Sequence, residues 1–314
     1  MKILATGSAV PERVVTNDDL AAFLDTSDQW IRTRTGICQR RVADRPLEFL
    51  AAQAAQNALE ASGLQAGQLD LILCSNVLSR YVAPGLGCIV AGLIGAQCPC
   101  LDINGACAGF LYALELAQAQ LQTGRYQRVL IVCAEEPSSA VDWTDRATCV
   151  LFGDAAAAAI VTGDGEPARF LMRAQANREV LYALRDAGNC PYEKENPQAQ
   201  PLWMNGQEVY KFAVHAAAQD IRALCQGQEI APEAVNWFLL HQANARILEA
   251  VRMRLAQPQE KFPSNIDRYG NTSSAGLPLL IDELNRAGTL RRGDLVAMSA
   301  FGAGLTTGAC LMRW

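Results

Sequence analysis

The chain has 314 residues, half of them hydrophobic, and a formal net charge of -5. That length is ample for one large domain or two packed ones, and the acidic balance argues against a nucleic-acid partner, which needs a basic footprint. No apolar run approaches a membrane span, and the opening "MKILATGSAVPERVV" has too short an apolar run for a signal peptide, so a soluble cytoplasmic protein is expected.

"DLILCS" at 70–75 reads as a short buried strand, and "CPCLDI" at 98–103 leads into another. Residues 107–122 carry apolar side chains at 107, 110, 111, 114, 117 and 121, one face of a helix. Gly124 suits its stop. "RVLIVCA" at 128–134 is again a buried strand, and "FGDAAAAAIV" at 152–161 is small and apolar, fit for tight packing. "RDAGNCPYEKENPQAQP" at 185–201 reads as a loop. "EVYKFAVHAAAQDIRAL" has a helical pattern. "VNWFLL" at 235–240 is a buried strand, followed by a helix from 243 to 255 with Ile247, Leu248, Val251 and Leu255 on its apolar face.

The second half repeats the order of the first. "NIDRYGNTSSAGLPLLIDELNRAGTLRRGDLVAMSAFGAGLTTGACLM" parallels the stretch from "CLDINGACAGF" to "FGDAAAAAIV". Both have an Asp, a Gly three residues on, an Ala-Gly pair, a helix, a glycine stop, a strand and a Phe-Gly turn. An extra segment near 135–151 interrupts the first copy only. A shared order this long points to a duplicated α/β unit. At the turn before the helix one copy places Cys107, the other Asn271.

The chain has eleven cysteines. The count is odd and there is no C-x-x-C pair, so most read as small buried hydrophobes. Cys74, Cys133, Cys149 and Cys310 sit in apolar runs and fit that reading. "CPC" at 98–100 is too tight for a usual zinc knuckle. "GAGLTTG" at 302–308 resembles a dinucleotide loop, but only a short apolar tail follows where a helix is required. No metal site is expected. Of the two histidines, His215 lies in a helical pattern and His241 ends a buried strand. Sites gather at such strand ends in α/β sheets.

In a duplicated fold with a pseudo-twofold axis, Cys107, Asn271 and His241 converge. A thiol at a helix N-terminus gains thiolate character, and His and Asn donate hydrogen bonds to a developing oxyanion. The set suits covalent acyl transfer followed by enolate stabilisation.

Six blocks in order, "DTSDQWIRTRTGI", "ACAGFLYAL", "FGDAAAA", "HQANARI", "YGNTSSAGLP" and "FGAGLTTGA", resemble the β-ketoacyl-acyl carrier protein synthase III family of thiolase-fold condensing enzymes. The resemblance implies an α/β fold, a five-layer αβαβα sandwich of two duplicated halves, here 1–165 and 166–314, in a homodimer. It implies acyl-CoA as donor to Cys107 and malonyl-acyl carrier protein as the second substrate, with no cofactor. It makes His241 and Asn271 the pair that holds the malonyl thioester oxygen, and the backbone N–H groups of Cys107 and Ala303 the other oxyanion hole. It assigns Trp30, Arg34, Arg146, Phe152, Asn244 and Phe301 to substrate binding. Trp30 and Arg146 would flank the adenine of coenzyme A, Arg34 would contact phosphate, Asn244 would lie behind the pantetheine, and Phe301 beside the malonyl carboxylate. Lys211, Arg246 and Arg254 would dock the carrier protein. Ala83 and Thr307 depart from the family, which often has Phe and Trp there; Ala83 stands where Phe closes the primer pocket across the dimer. A condensing or acyl-transferring relative in specialised metabolism, and an inactive partner subunit, are the other readings.

Overall fold

The computed structural model describes residues 1–184 and 199–314. The loop expected at 185–201 falls almost wholly outside them. The described chain forms five layers around two main sheets.

The first sheet has five strands in spatial order Lys2–Ala9, Ala155–Thr162, Arg128–Glu135, Leu71–Ser75 and Cys100–Ile103. The last three run parallel to one another, and the first two pair antiparallel at the other side. Alternate residues of Arg128–Glu135 face opposite ways: Val129, Ile131 and Cys133 toward the middle of the molecule, Leu130, Val132 and Ala134 outward. Helices cover both faces, which is why these strands read as unbroken apolar runs instead of alternating ones. The outer helices are Leu47–Ser62 and Leu86–Ile94.

The second sheet orders Trp237–Leu240, Leu295–Gly302, Gly304–Arg313 and Arg169–Asn177. The apolar tail is therefore a strand, hairpinned antiparallel onto Leu295–Gly302. Its run of Gly, Thr and Ala gives no strand period because both faces of the strand are covered. Helices Gly206–Gly227 and Ala245–Leu255 cover its outer face.

Between the sheets lie two helices, Gly109–Gln122 and Gly276–Arg286, one from each repeat. Each is entered through a single 3-10 turn, Ala106–Ala108 and Ser273–Ala275. The helix expected from residue 107 thus begins two residues later. The glycine stops hold: Gly124 and Gly288 take left-handed φ values of 74° and 68°. The layers are helix, sheet, helix, sheet, helix, the thiolase-like sandwich.

The structure also corrects the pairing of the repeats. Counting back from the Ala-Gly pair at each helix start, Cys107 corresponds to Ser274 and Ala106 to Ser273. Ala106 and Ser273 confirm this with the same left-handed backbone, φ 47° and 52°. By the same count Asn271 corresponds to Asn104, and each side-chain oxygen accepts from the N–H two residues on, Ala106 N at 3.2 Å and Ser273 N at 2.9 Å.

No helix among the described residues is long and apolar enough to cross a membrane. Cys74, Cys133, Cys149 and Cys310 are buried as expected, and no described cysteine is in a disulfide.

Gly7 tests the sheet–helix contact. A methyl there would stand 2.5 Å from Ala54 O in helix Leu47–Ser62, and backbone cannot retreat. Gly7→Ala should cost about 1–3 kcal/mol, read as a lower urea midpoint at unchanged slope. Gly227→Ala, which meets nothing within 4 Å, should be neutral or stabilise by up to ~1 kcal/mol.

Candidate active site

A cavity of about 550 Å³ runs inward between the two halves. Arg34, Arg146 and Arg246 line it and are exposed; Cys107, His241, Asn271 and Phe301 line it and are enclosed. The first group marks the mouth and the second the floor.

Cys107 sits in the 3-10 turn between strand Cys100–Ile103 and the central helix. Its sulfur faces the cavity and is otherwise surrounded by protein. Burial pushes the thiol up to about 12, and the nearby charge of Glu135 adds to it. Burial thus opposes the thiolate character expected from the helix terminus. Its partner is Ser273 Oγ at 3.3 Å.

His241 follows the last residue of strand Trp237–Leu240, and its N–H donates to Ser299 O. Burial alone lowers its pKa from an ordinary 6.5 to about 4, so the ring is neutral at pH 7. Its Nδ1 is buried without a partner among the described residues. A buried N–H left unpaired is rarer than an unpaired acceptor, so the proton belongs on Nε2. Phe301 packs edge-on against the ring, centroids 5.3 Å apart.

Asn271 opens the turn before the second central helix, at the position that Asn104 holds in the first copy. Its backbone is tied on both sides to the Phe-Gly turn of the other half: Asn271 N donates to Leu151 O at 2.8 Å and Gly153 N donates to Asn271 O at 3.1 Å. A methyl on Gly153 would collide with Tyr269 O, so this contact requires glycine. Asn271 Oδ1 accepts from Ser273 N at 2.9 Å. The amide is thereby oriented with its NH2 free to donate. Phe152 bridges to Asn271 in the same ladder and lines the cavity.

Ala303 lines the cavity beside Cys107. At Gly302 a methyl would stand 2.6 Å from Cys107 N, so glycine lets the two segments meet. At the mouth, Arg34 and Arg146 lie 5.0 and 5.3 Å from the centroid of the Trp30 ring. A base stacked between Trp30 and Arg146 needs about 7 Å, two contacts of ~3.5 Å. The expected flanking arrangement therefore requires Arg146 to leave Asp25, whose carbonyl it holds at 2.5 Å.

Asn244 is the N-cap of helix Ala245–Leu255, accepting from Arg246 N at 2.9 Å, and also lines the cavity. The helix starts two residues later than expected because of this cap. Arg246 stands at the mouth, 6.0 Å from the Tyr210 ring. Lys211, on the neighbouring helix, pairs with Glu208 at 3.0 Å. Arg254 is exposed two turns further along its helix, and its carbonyl accepts from Arg222. Neither Lys211 nor Arg254 lines the cavity. His215 is an exposed helical side chain away from it, and Ala83 is exposed and outside its lining. No group of potential metal ligands occurs among the described residues.

Sequence reasoning missed Glu135, Ser273 and Ser274, which lie directly behind Cys107. Glu135 is fully buried and accepts from Ser273 Oγ at 3.2 Å, Ser274 Oγ at 2.6 Å and Val77 N at 3.1 Å. An acid closing the apolar run "VLIVCAE" was the available signal.

Residues 101–178 match the family model for 3-oxoacyl-[acyl-carrier-protein (ACP)] synthase III, and residues 225–314 match the model for its C-terminal part. The β-ketoacyl-[acyl-carrier-protein] synthase III of Synechococcus elongatus is 43% identical over 323 residues, 99% of this chain and 96% of that one. The chain belongs to the 3-oxoacyl-[acyl-carrier-protein] synthase III family. The crystal structure of the Aquifex aeolicus 3-oxoacyl-[acyl-carrier-protein] synthase III is similar with a TM-score of 0.91 at 39% identity, over 100% of this chain and 99% of that one. The priming β-ketosynthase of the R1128 polyketide pathway also has a TM-score of 0.91, at 30% identity over 99% and 96%. As a synthase III family member, the protein is an acyl-transferring condensing enzyme.

The buried histidine has a signature in stability. Below about 6.5 the unfolded chain protonates His241 while the folded chain does not until about 4. Stability is therefore lost as pH falls through that window, and no further loss comes from this residue below it. In urea unfolding, His241→Asn should lose less stability than wild type between pH 7 and 4, the gap reaching about 3 kcal/mol.

Proposed function

We propose that the protein starts fatty acid chains in two stages. In the first, acyl-CoA transfers its acyl group to Cys107 Sγ and coenzyme A leaves. In the second, malonyl-acyl carrier protein enters, loses carbon dioxide, and its carbanion attacks the Cys107 thioester to give β-ketoacyl-acyl carrier protein. The observation that carries this reading is one cavity lined at its floor by a thiol, a neutral imidazole and an amide with free donors.

Each residue has a physical task. The N–H groups of Cys107 and Ala303 face the acyl oxygen. His241 Nε2–H and the Asn271 NH2 donate to the malonyl thioester oxygen, where charge develops as the carbon–carbon bond breaks. A neutral imidazole suits this, because it donates without surrendering its proton. The Phe301 face offers no counter-charge to the malonyl carboxylate, which favours its loss as neutral carbon dioxide. The electrons of the new bond come from that bond cleavage, so the proposed reaction needs no metal or organic cofactor. Trp30, Arg34 and Arg146 hold the nucleotide end of coenzyme A, Phe152 and Asn244 border the tunnel, and Arg246, Lys211 and Arg254 meet the acidic carrier.

The protein works in the cytoplasm as a homodimer. The open edge of strand Cys100–Ile103, with Leu101 and nearby Leu93 exposed, supports pairing there. Each half, 1–165 and 166–314, is one copy of the duplicated unit. The equal structural likeness to a polyketide priming enzyme favours one second reading, specialised metabolism; condensation assays with malonyl-carrier against other acceptors separate the two.

His241 and Asn271 make no hydrogen bond with Sγ, whose partner is Ser273. His241→Ala and Asn271→Asp should still form acyl-Cys107 from acetyl-CoA, seen by mass spectrometry. Malonyl decarboxylation should fall about 100- to 1,000-fold. Normal decarboxylation in both would sink the assignment.

Charge reversal at the mouth probes the carrier. Arg246→Glu should raise the KM for malonyl-acyl carrier protein by roughly tenfold at low salt, an effect that shrinks as salt is added. Equal loss of the acyl-CoA stage would instead indicate a blocked tunnel.

A further inference from the structure

Behind the nucleophile lies a buried carboxylate that the two-stage reaction, as described, does not use. Glu135 ends strand Arg128–Glu135 and has no exposed surface. Among the described residues no Lys, Arg or His lies within ion-pair distance of it. The titratable groups around it are the thiols of Cys107, Cys133 and Cys74; the next residue, Glu136, pairs with Arg80 at 3.5 Å. Its partners are all donors: Ser273 Oγ, Ser274 Oγ and Val77 N. A structural role does not require a charge here. Burying a carboxylate with no cation beside it is costly, and a neutral amide would still accept from the two serines through its single oxygen, losing only the Val77 bond.

The hydrogen bonds have a direction. Ser273 Oγ–H donates to Glu135 Oε1 at 3.2 Å, so its lone pair is left for the Cys107 S–H at 3.3 Å. Ser273 reaches this position through a left-handed backbone, φ 52°, which costs energy in a residue with a side chain. Strained residues of this kind cluster at working sites.

We propose that Ser273 and Glu135 form a proton relay for Cys107: as Sγ attacks the acyl carbonyl, its proton passes to Ser273 Oγ and the Ser273 proton passes to Glu135 Oε1. The relay rests on the reading of Cys107 as the acylated nucleophile. Ser273 touches the reacting sulfur, and Glu135 acts through it. The coenzyme A sulfur leaves with its electron pair and takes a proton from water. Glu135 keeps its proton while Cys107 is acylated. When condensation expels Sγ as a thiolate, the proton returns through Ser273 and restores the thiol. One solvent proton is consumed per turnover, and Glu135 ends as it began.

Burial raises Glu135 to about 7, opposed by the bonds from Ser274, Val77 and Ser273. The carboxylate therefore exchanges its proton near neutrality. The thiol sits at about 12, so the proton moves in step with carbon–sulfur bond formation, not before it.

The test is rapid-mix acylation of Cys107 by acetyl-CoA between pH 5.5 and 9.5, read by intact mass. The wild-type rate should rise with pH and level off above about 7. Glu135→Gln should lower it about 100-fold and abolish the levelling near neutrality. Ser273→Ala should do the same with Glu135 intact. Ser274→Ala removes a bond to the carboxylate but none to Sγ; it should keep the plateau and move the inflection up by about one pH unit. Should Glu135→Gln fail to fold, the two serine variants decide. A wild-type profile in Ser273→Ala, or a lower rate with an unchanged profile in Glu135→Gln, would overturn the relay alone. Absence of any acyl adduct on wild-type Cys107 would overturn the nucleophile assignment and the relay with it.

Discussion

Two 3-10 turns meet beneath the cavity floor, and their closeness governs the site. Gly109, at the head of one central helix, lies so near Ser75 and Ser274 that any side chain there would collide with Ser75 Oγ. Gly302 lies equally near the Cys107 amide. This packing places the nucleophile against protein instead of water. It fixes the amide of Cys107 as a donor, brings Ser273 from the other half to the sulfur, and opposes ionisation of the thiol. An exposed cysteine at a helix start would be a better thiolate but would have no shaped site around it. Here burial supplies the shape, and the chemistry has to find a place for the proton.

The duplication shows how one scaffold divides this work. By strand register, Ser75 corresponds to His241, since Leu71 faces Val129 as Trp237 faces Val296. The same count sets Glu135 against Gly302, and Ser274 against Cys107. The first position of each pair belongs to the internal network, with Ser75 Oγ donating to Ser274 Oγ at 3.0 Å and Ser274 Oγ to Glu135. The second position faces the cavity. Thus the same two strand ends and helix start build a hydroxyl-and-carboxylate cluster on one side of the axis and a catalytic floor on the other. Asn271 corresponds to Asn104: the first-copy asparagine is exposed, whereas Asn271 is buried against the Phe152 segment of the opposite half.

Much of this was legible in the residues. Strands such as "RVLIVCA" and "VNWFLL" are apolar throughout because helices cover both faces, and the 3.6 period from Phe110 to Leu121 marks a helix buried along one side. Repetition of the Asp, Gly and Ala-Gly spacing exposed the duplication. Strand Lys2–Ala9 was not legible, since Thr6 and Ser8 interrupt its apolar pattern; their hydroxyls are taken up by Asp282, whose carboxylate is buried in the second central helix. The burial that raises the Cys107 thiol was hidden for a related reason. A helix terminus is visible in sequence, whereas the desolvation of one sulfur depends on segments 166 and 195 residues away, at Ser273 and Gly302. Trp30 and Arg146, far apart in the chain, meet only through folding and carried no local signal beyond the family resemblance.

The charge distribution gives a last constraint. The chain is acidic overall, yet the cavity mouth carries Arg34, Arg146 and Arg246, with Trp30 among them. Such a local reversal raises the concentration of anionic ligands at the opening. Under the proposed reaction both donors are anionic and both deliver a thioester through this one mouth to the same sulfur. Arg146 is held by Asp25 against the Trp30 face and has to swing aside for a base to stack. In the proposed reaction coenzyme A leaves as Cys107 is acylated, and the covalent intermediate holds the acyl group until the carrier arm arrives. The order of the two stages follows from the chemistry at the cavity floor, because condensation needs an acyl group that is already on the sulfur.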